Sequence, residues 1–87
     1  MSYNIIFTKK ALSAKQKLKN SGLTDKVLQL IQILENNPFQ NPPRYEKLLS
    51  LENTYSRRIN IQHRLVYQVN ESTKTIKIIS MWTHYEY

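Results

Sequence analysis

The 87-residue chain carries thirteen Lys and Arg against six Asp and Glu, a net charge of +7, with 40% hydrophobic residues and no cysteine. A chain of this length is one small domain, residues 1–87, able to bury roughly 60–65% of the surface its unfolded form exposes, and the missing thiols exclude both a disulfide staple and a thiolate metal site. No run approaches the ~18 apolar residues of a membrane span, and the N-terminal MSYNIIFTKK lacks the basic-then-apolar order of a signal peptide, so a cytoplasmic protein is expected whose positive field gathers phosphate chains or an acidic protein partner.

Tyr3 to Phe7 (YNIIF) is a β-branched and aromatic run that reads as a first strand. Thr8 then caps a helix over KKALSAKQKLKN, where Ala11, Ala14 or Lys15, and Leu18 form a thin apolar line among five lysines. Gly22, the one glycine, fits a left-handed residue at that helix's end. Thr24 and Asp25 open a clearer second helix, in which Val27, Leu30, Ile31 and Leu34 follow the 3.6-residue repeat, Leu28 and Ile33 widen the stripe, and Asn36-Asn37-Pro38 stops it.

Residues 38–45 (PFQNPPRY) hold all three prolines and form a rigid connector. After it come YEKLLSL, YSRRINI and HRLVYQV, a polar turn at NESTK, and TIKIISMWTHY. Consecutive strands of this kind imply an antiparallel sheet. The expected architecture is α+β, β-α-α-β-β-β in its order, with the two helices over one face of the sheet and the other face left to solvent or a ligand.

Alternation of side chains then sorts the strands. Leu65, Tyr67 and Val69 share an apolar face with Ile59 and Ile61 pointing the same way, while Arg58 and Arg64 stand on the uncovered face, on rigid strands that can aim a guanidinium at a phosphate. The C-terminal segment adds His84 and Tyr85, and the residues before the hairpin supply Arg44, Glu46 and Lys47. A carboxylate, an imidazole and a guanidinium on one face would meet the needs of RNA cleavage: the 2′-hydroxyl loses a proton to attack the neighbouring phosphate, the 5′-oxygen gains one to leave, and the crowded phosphate is stabilised. An ordinary carboxyl titrates near ~4.3 and an ordinary imidazole near ~6.5, so a base and an acid coexist over an accessible pH range, and the scheme calls for no cofactor and no metal. The bland alternative is that Glu46 pairs with Arg44 or Lys47 on the surface. His63, next to Arg64, alternates to the apolar side or the turn and reads as structural. Trp82 reads equally as part of the core or as a platform for a base.

The run SRRINIQHRLVYQV (56–69), followed by His84-Tyr85, resembles the YoeB/Txe family of bacterial toxins within the RelE superfamily; Pro38-Phe39 and Glu46-Lys47-Leu48 match its preceding loop and element, and the likeness spans about Leu28 to Tyr85. The resemblance implies a ribosome-dependent endoribonuclease that cuts mRNA in the ribosomal A site and is held inactive by a cognate YefM/Axe-like antitoxin, with monomer and homodimer both open. It places Glu46 as general base, Arg64 as the arginine on the transition-state phosphate, His84 as general acid, Tyr85 as a substrate-positioning residue and Arg58 as a second phosphate ligand, with Lys47 and Arg44 as further RNA contacts. This chain departs from the family pattern in carrying Leu49 where a lysine is usual, a lysine-rich first helix, and Glu86-Tyr87 after the His-Tyr pair. Two other readings stand beside it: a ParE-like toxin that inhibits gyrase without acid–base chemistry, and a non-catalytic RNA-binding module using the same basic face.

Overall fold

The computed structural model describes residues 2–82. The chain runs β1 (Asn4–Phe7), α1 (Lys9–Ser13), α2 (Lys15–Asn20), α3 (Thr24–Asn36), β2 (Tyr45–Lys47), β3 (Thr54–Arg58), β4 (Arg64–Asn70) and β5 (Thr75–Ser80). The helical stretch expected over residues 9–20 is broken at Ala14 into two short segments. Its start is set by Thr8, whose hydroxyl oxygen accepts from the Ala11 N–H at 3.1 Å and donates to the Ile79 carbonyl at 3.0 Å. Gly22 ends it with φ +71°, the left-handed geometry that side chains resist. Helix α3 has the expected bounds and buries Val27, Leu30 and Leu34.

The five strands form one sheet in the order β1-β5-β4-β3-β2. The four C-terminal strands pair antiparallel as expected, and β1 joins the outer edge of β5 in parallel. The parallel pair follows from the helical crossover, which returns the chain to the far side of the sheet. Edge and turn are clasped together: the Tyr3 hydroxyl donates to Glu71 at 2.8 Å and Lys74 pairs with Glu71 at 3.3 Å. The Tyr3 hydrogen bond, then Lys74, holds the Glu71 carboxyl below its usual range.

One face of the sheet meets the helices. Ala11, Ala14, Leu18, Val27, Leu30 and Leu34 pack there on Leu65, Tyr67, Val69, Ile76 and Ile78, burial that dominates the folding free energy. Leu48 and Val66 are also buried but stand outside this cluster, so the opposite face has a small apolar patch of its own. Among the described residues no helix is long and apolar enough to cross a membrane.

Two details of the strands differ from the sequence reading. Ile61, expected among the core residues, is 87% exposed, because β3 ends at Arg58 and a turn follows in which Ile59 and Asn60 both donate their N–H to the His63 carbonyl. Nor do apolar and basic residues separate fully: Arg57 lies on the helix side of the sheet, opposite Leu65, and is 1% exposed.

Candidate functional site

Arg57 builds the edge from which the site is made. Its Nη1 donates to the Pro43 carbonyl at 2.6 Å, and its Nη2 to the carbonyls of Pro38 and Gln40, both at 2.9 Å. A guanidinium presents several donors in a fixed fork, so one side chain gathers three carbonyls of the proline-rich connector over the core side of β3. The Tyr67 hydroxyl adds a donation to Pro38 O at 3.0 Å, and burial pushes that hydroxyl up to about 12. Phe39, Tyr45 and Tyr55 close around one another with ring centroids 5.2 to 6.1 Å apart, Tyr55 stacks on Tyr67 at 5.9 Å, and the Arg57 guanidinium lies 5.0 Å above the Tyr45 ring. Tyr55 and Tyr67 are thereby packing groups. The connector so pinned delivers the chain into β2 at a fixed register.

That register decides which residues meet. Glu46 pairs with Ser56 on β3, Ser56 with Val66 on β4, and Arg58 with Arg64 directly across the same two strands. Residues opposite one another share a face, so Glu46, Ser56, Arg58 and Arg64 all stand on the face away from the helix-covered core. Strand spacing and rise put the Cα atoms of Glu46 and Arg64 about 12 Å apart, with Arg58 between them, a span that the long side chains close onto one small anion. They line a cleft of about 370 Å³ together with Lys26, Pro43, Arg44, Tyr45 and Ile59.

Four of the residues expected at the site, Arg44, Glu46, Arg58 and Arg64, therefore meet in one cleft. Lys47 does not: it pairs with Tyr55 and alternates to the other side. His84 and Tyr85 lie outside the described residues. Lys26, from the first turn of α3, enters the cleft without having been anticipated, since its neighbour Val27 signals only which side of that helix is buried. Neither Glu46, Arg58 nor Arg64 makes a side-chain hydrogen bond or ion pair with another described residue, and the surface pairing of Glu46 with Arg44 or Lys47 does not form. Among the described residues no three His, Cys, Asp or Glu side chains are placed to hold a metal ion.

Such an arrangement is costly unless something binds to it. Two arginines directly opposed across a strand pair repel, and among the described residues no carboxylate forms an ion pair with either. An anionic group seated between the guanidiniums converts that repulsion into charge-assisted hydrogen bonds, with a free carboxylate on the same face to take up a proton.

The sequence matches the model for the YoeB-like toxins of bacterial type II toxin–antitoxin systems over residues 9–85. Among solved structures it is similar to YoeB in a YoeB–YefM complex from Staphylococcus aureus, at 34% identity and a TM-score of 0.78 over 98% of this chain and 100% of that one. It is likewise similar to a YoeB dimer from the same organism, at 32% identity and a TM-score of 0.82 over the same shares. An archaeal RelE–RelB complex from Pyrococcus horikoshii OT3 matches at 27% identity and a TM-score of 0.78, over 95% of this chain and 96% of that one. No curated protein sequence matches the chain significantly. With a family match across most of its length and the RelE-like fold beneath the cleft, this chain belongs to the YoeB-like toxins of bacterial type II toxin–antitoxin systems.

Proposed function

We propose that the protein is a ribosome-dependent mRNA endoribonuclease acting in the cytoplasm. The observation that carries this reading is the trio of Glu46, Arg58 and Arg64 on one sheet face, two opposed cations and a carboxylate that are unpaired among the described residues and line a cleft of about 370 Å³. Glu46 takes the proton from the 2′-hydroxyl as its oxygen attacks phosphorus. Arg64 and Arg58 hold the non-bridging oxygens as charge builds on them. The bond from phosphorus to the 5′-oxygen breaks, His84 gives that oxygen a proton, and the products are a 2′,3′-cyclic phosphate and a 5′-hydroxyl. Tyr85 positions the substrate beside His84, and Arg44 with Lys26 steers the RNA backbone into the cleft.

The regulating partner in this reading is a YefM/Axe-like antitoxin. In its favour stands an apolar groove of about 490 Å³ between the helices, lined by Leu12, Leu18, Val27, Leu28 and Ile31 with Lys15 and Lys19 at its edge, a surface complementary to an acidic amphipathic segment that folds on binding.

The test is cleavage of mRNA on programmed ribosomes by wild type and by Glu46→Ala, Arg64→Ala and His84→Ala. Loss of a general base or acid is expected to slow cutting about 10²- to 10⁴-fold, and undiminished cutting by all three variants removes the proposed site. Inhibition of gyrase supercoiling without RNA cleavage would transfer the protein to the ParE-like reading.

A further inference from the structure

Ser56 stands in the middle of the cleft's charged residues. It lies opposite Glu46 on one neighbouring strand and opposite Val66 on the other, and two residues before Arg58. Directly opposed Cβ atoms are about 4.5–5.5 Å apart and diagonal neighbours about 7–8 Å, while residues two apart along a strand are separated by about 7 Å. Glu46, Arg58 and Arg64, the last on the diagonal, therefore all surround Ser56 at roughly one side-chain length. Three long charged side chains enclose one short hydroxyl, which lines the cleft they share.

No described residue satisfies that hydroxyl. Ser56 is 3% exposed, and the polar groups of so buried a residue ordinarily find a partner. Thr54, two residues earlier on the same strand and fully buried, shows the ordinary case: its hydroxyl donates to the Glu52 carbonyl at 2.9 Å. Ser56 makes no such bond among the described residues, and neither does Glu46 directly across from it. A buried hydroxyl left open costs stability, and the charges around this one define what would complete it. Whatever seats itself between two guanidiniums is an anion rich in acceptor oxygens. Toward such a group a serine hydroxyl acts as donor.

We propose that Ser56 is a third ligand of the phosphate, its hydroxyl donating to a non-bridging oxygen while Arg58 and Arg64 hold the same anion. The serine keeps its proton throughout, so the bonds made and broken during cleavage are those already described. A short neutral donor suits this place. A longer side chain would fill the space the phosphate must enter, and a third cation would add to the repulsion between the two arginines. The inference rests on the anion site of the nuclease reading and deepens it, but it requires only that an oxyanion binds, not that RNA is cut.

The experiment uses Ser56→Ala, which deletes one oxygen atom and leaves the three charged residues in place. Because the hydroxyl has no described partner to lose, the variant should melt within about 2 °C of wild type or above it. Inorganic sulfate, titrated at low ionic strength and followed by the amide chemical shifts of Arg58 and Arg64, should bind the variant about 10-fold more weakly, the loss of one hydrogen bond to a charged group. Single-turnover cleavage of mRNA on programmed ribosomes should slow about 10- to 100-fold. Replacing one non-bridging oxygen of the scissile phosphate by sulfur, a weaker acceptor, should slow wild type more than the variant in one of the two diastereomers. Equal sulfate affinity in the two proteins overturns the inference, as does a wild type that binds no sulfate. A melting temperature lower by more than about 4 °C also overturns it, since the hydroxyl would then be holding the fold, and so does a sulfur effect of equal size in both proteins. Sulfate binding that weakens in Ser56→Ala while wild type cuts no RNA upholds the ligand role and refutes the nuclease reading alone.

Discussion

Arg58 and Arg64 face each other across β3 and β4, and removing one of them should stabilise the protein while disabling it. Cβ atoms of directly opposed residues are about 5.5 Å apart, and two unit charges at that separation in water repel by about 0.75 kcal/mol. At 0.15 M salt, where the Debye length is about 8 Å, roughly half survives, about 0.4 kcal/mol. Because 1 kcal/mol shifts the melting temperature of a domain this small by about 4–8 °C, Arg64→Gln, the farther from the Glu46 carboxylate, should melt about 2 °C above wild type at that salt, and Arg58→Gln by less, since it also gives up its attraction to Glu46 on the neighbouring strand. At 0.01 M the screening nearly vanishes and the gain rises to about 3–4 °C, while at 1 M it falls below about 1 °C. Calorimetric or circular-dichroism melts at the three salt concentrations read this directly. Inorganic sulfate should raise the melting temperature of wild type more than that of either variant, since an anion between the guanidiniums binds only the folded state. A melting temperature lowered in both variants, or a gain unchanged at 1 M salt, would show that the opposed arginines are not in conflict, and the argument for an anion site would fall with that result.

Three further outcomes follow from the way the site is supported. Arg57→Ala strands three connector carbonyls and should cost about 3–5 kcal/mol, read as a lower urea midpoint; a loss below about 1 kcal/mol would mean the connector holds itself. The Tyr67 hydroxyl titrates at about 12 in the folded protein against 10.0 ordinarily, so its contribution is intact below pH 10 and is lost as pH rises toward 12. The two-unit difference is worth about 3 kcal/mol at most, and Tyr67→Phe, about 1 kcal/mol weaker at neutral pH for want of the Pro38 bond, should show a shallower alkaline limb in pH-dependent denaturation. Gly22→Ala meets open space, with nothing within 4 Å of the added carbon, so its cost is that of the +71° φ alone: about 1 kcal/mol, or a melting temperature lower by about 4–8 °C.

What the sequence disclosed was whatever depends on short periods. The alternation of Arg58 and Arg64 against Leu65, Tyr67 and Val69 is local, as are the Thr8 cap, the Gly22 stop and the bounds of α3, and each is present in the structure. Arg57 escaped because alternation placed a charge among core residues, a conflict resolved only by carbonyls 14 to 19 positions away along the chain. Ile61 was misplaced because nothing within YSRRINI marks where pairing stops; the turn is fixed by Asn60 reaching forward to His63. The parallel seating of β1 and the arrival of Lys26 are likewise products of how distant segments close on one another.

The same division accounts for the site itself. A sheet with helices on one side leaves its other side to whatever the alternating residues happen to be, so the uncovered face could be assigned to both guanidiniums from their alternation, and to the carboxylate only from the resemblance and the needs of the chemistry. Their distance from one another could not, because it depends on the register of β2, and that register is inherited from a connector fastened by Arg57 on the opposite face. The buried arginine and the exposed ones are neighbours in sequence for a physical reason. Successive residues of one strand point to opposite sides, so Arg57 can hold the loop that sets Glu46 while Arg58 faces the cleft that Glu46 serves.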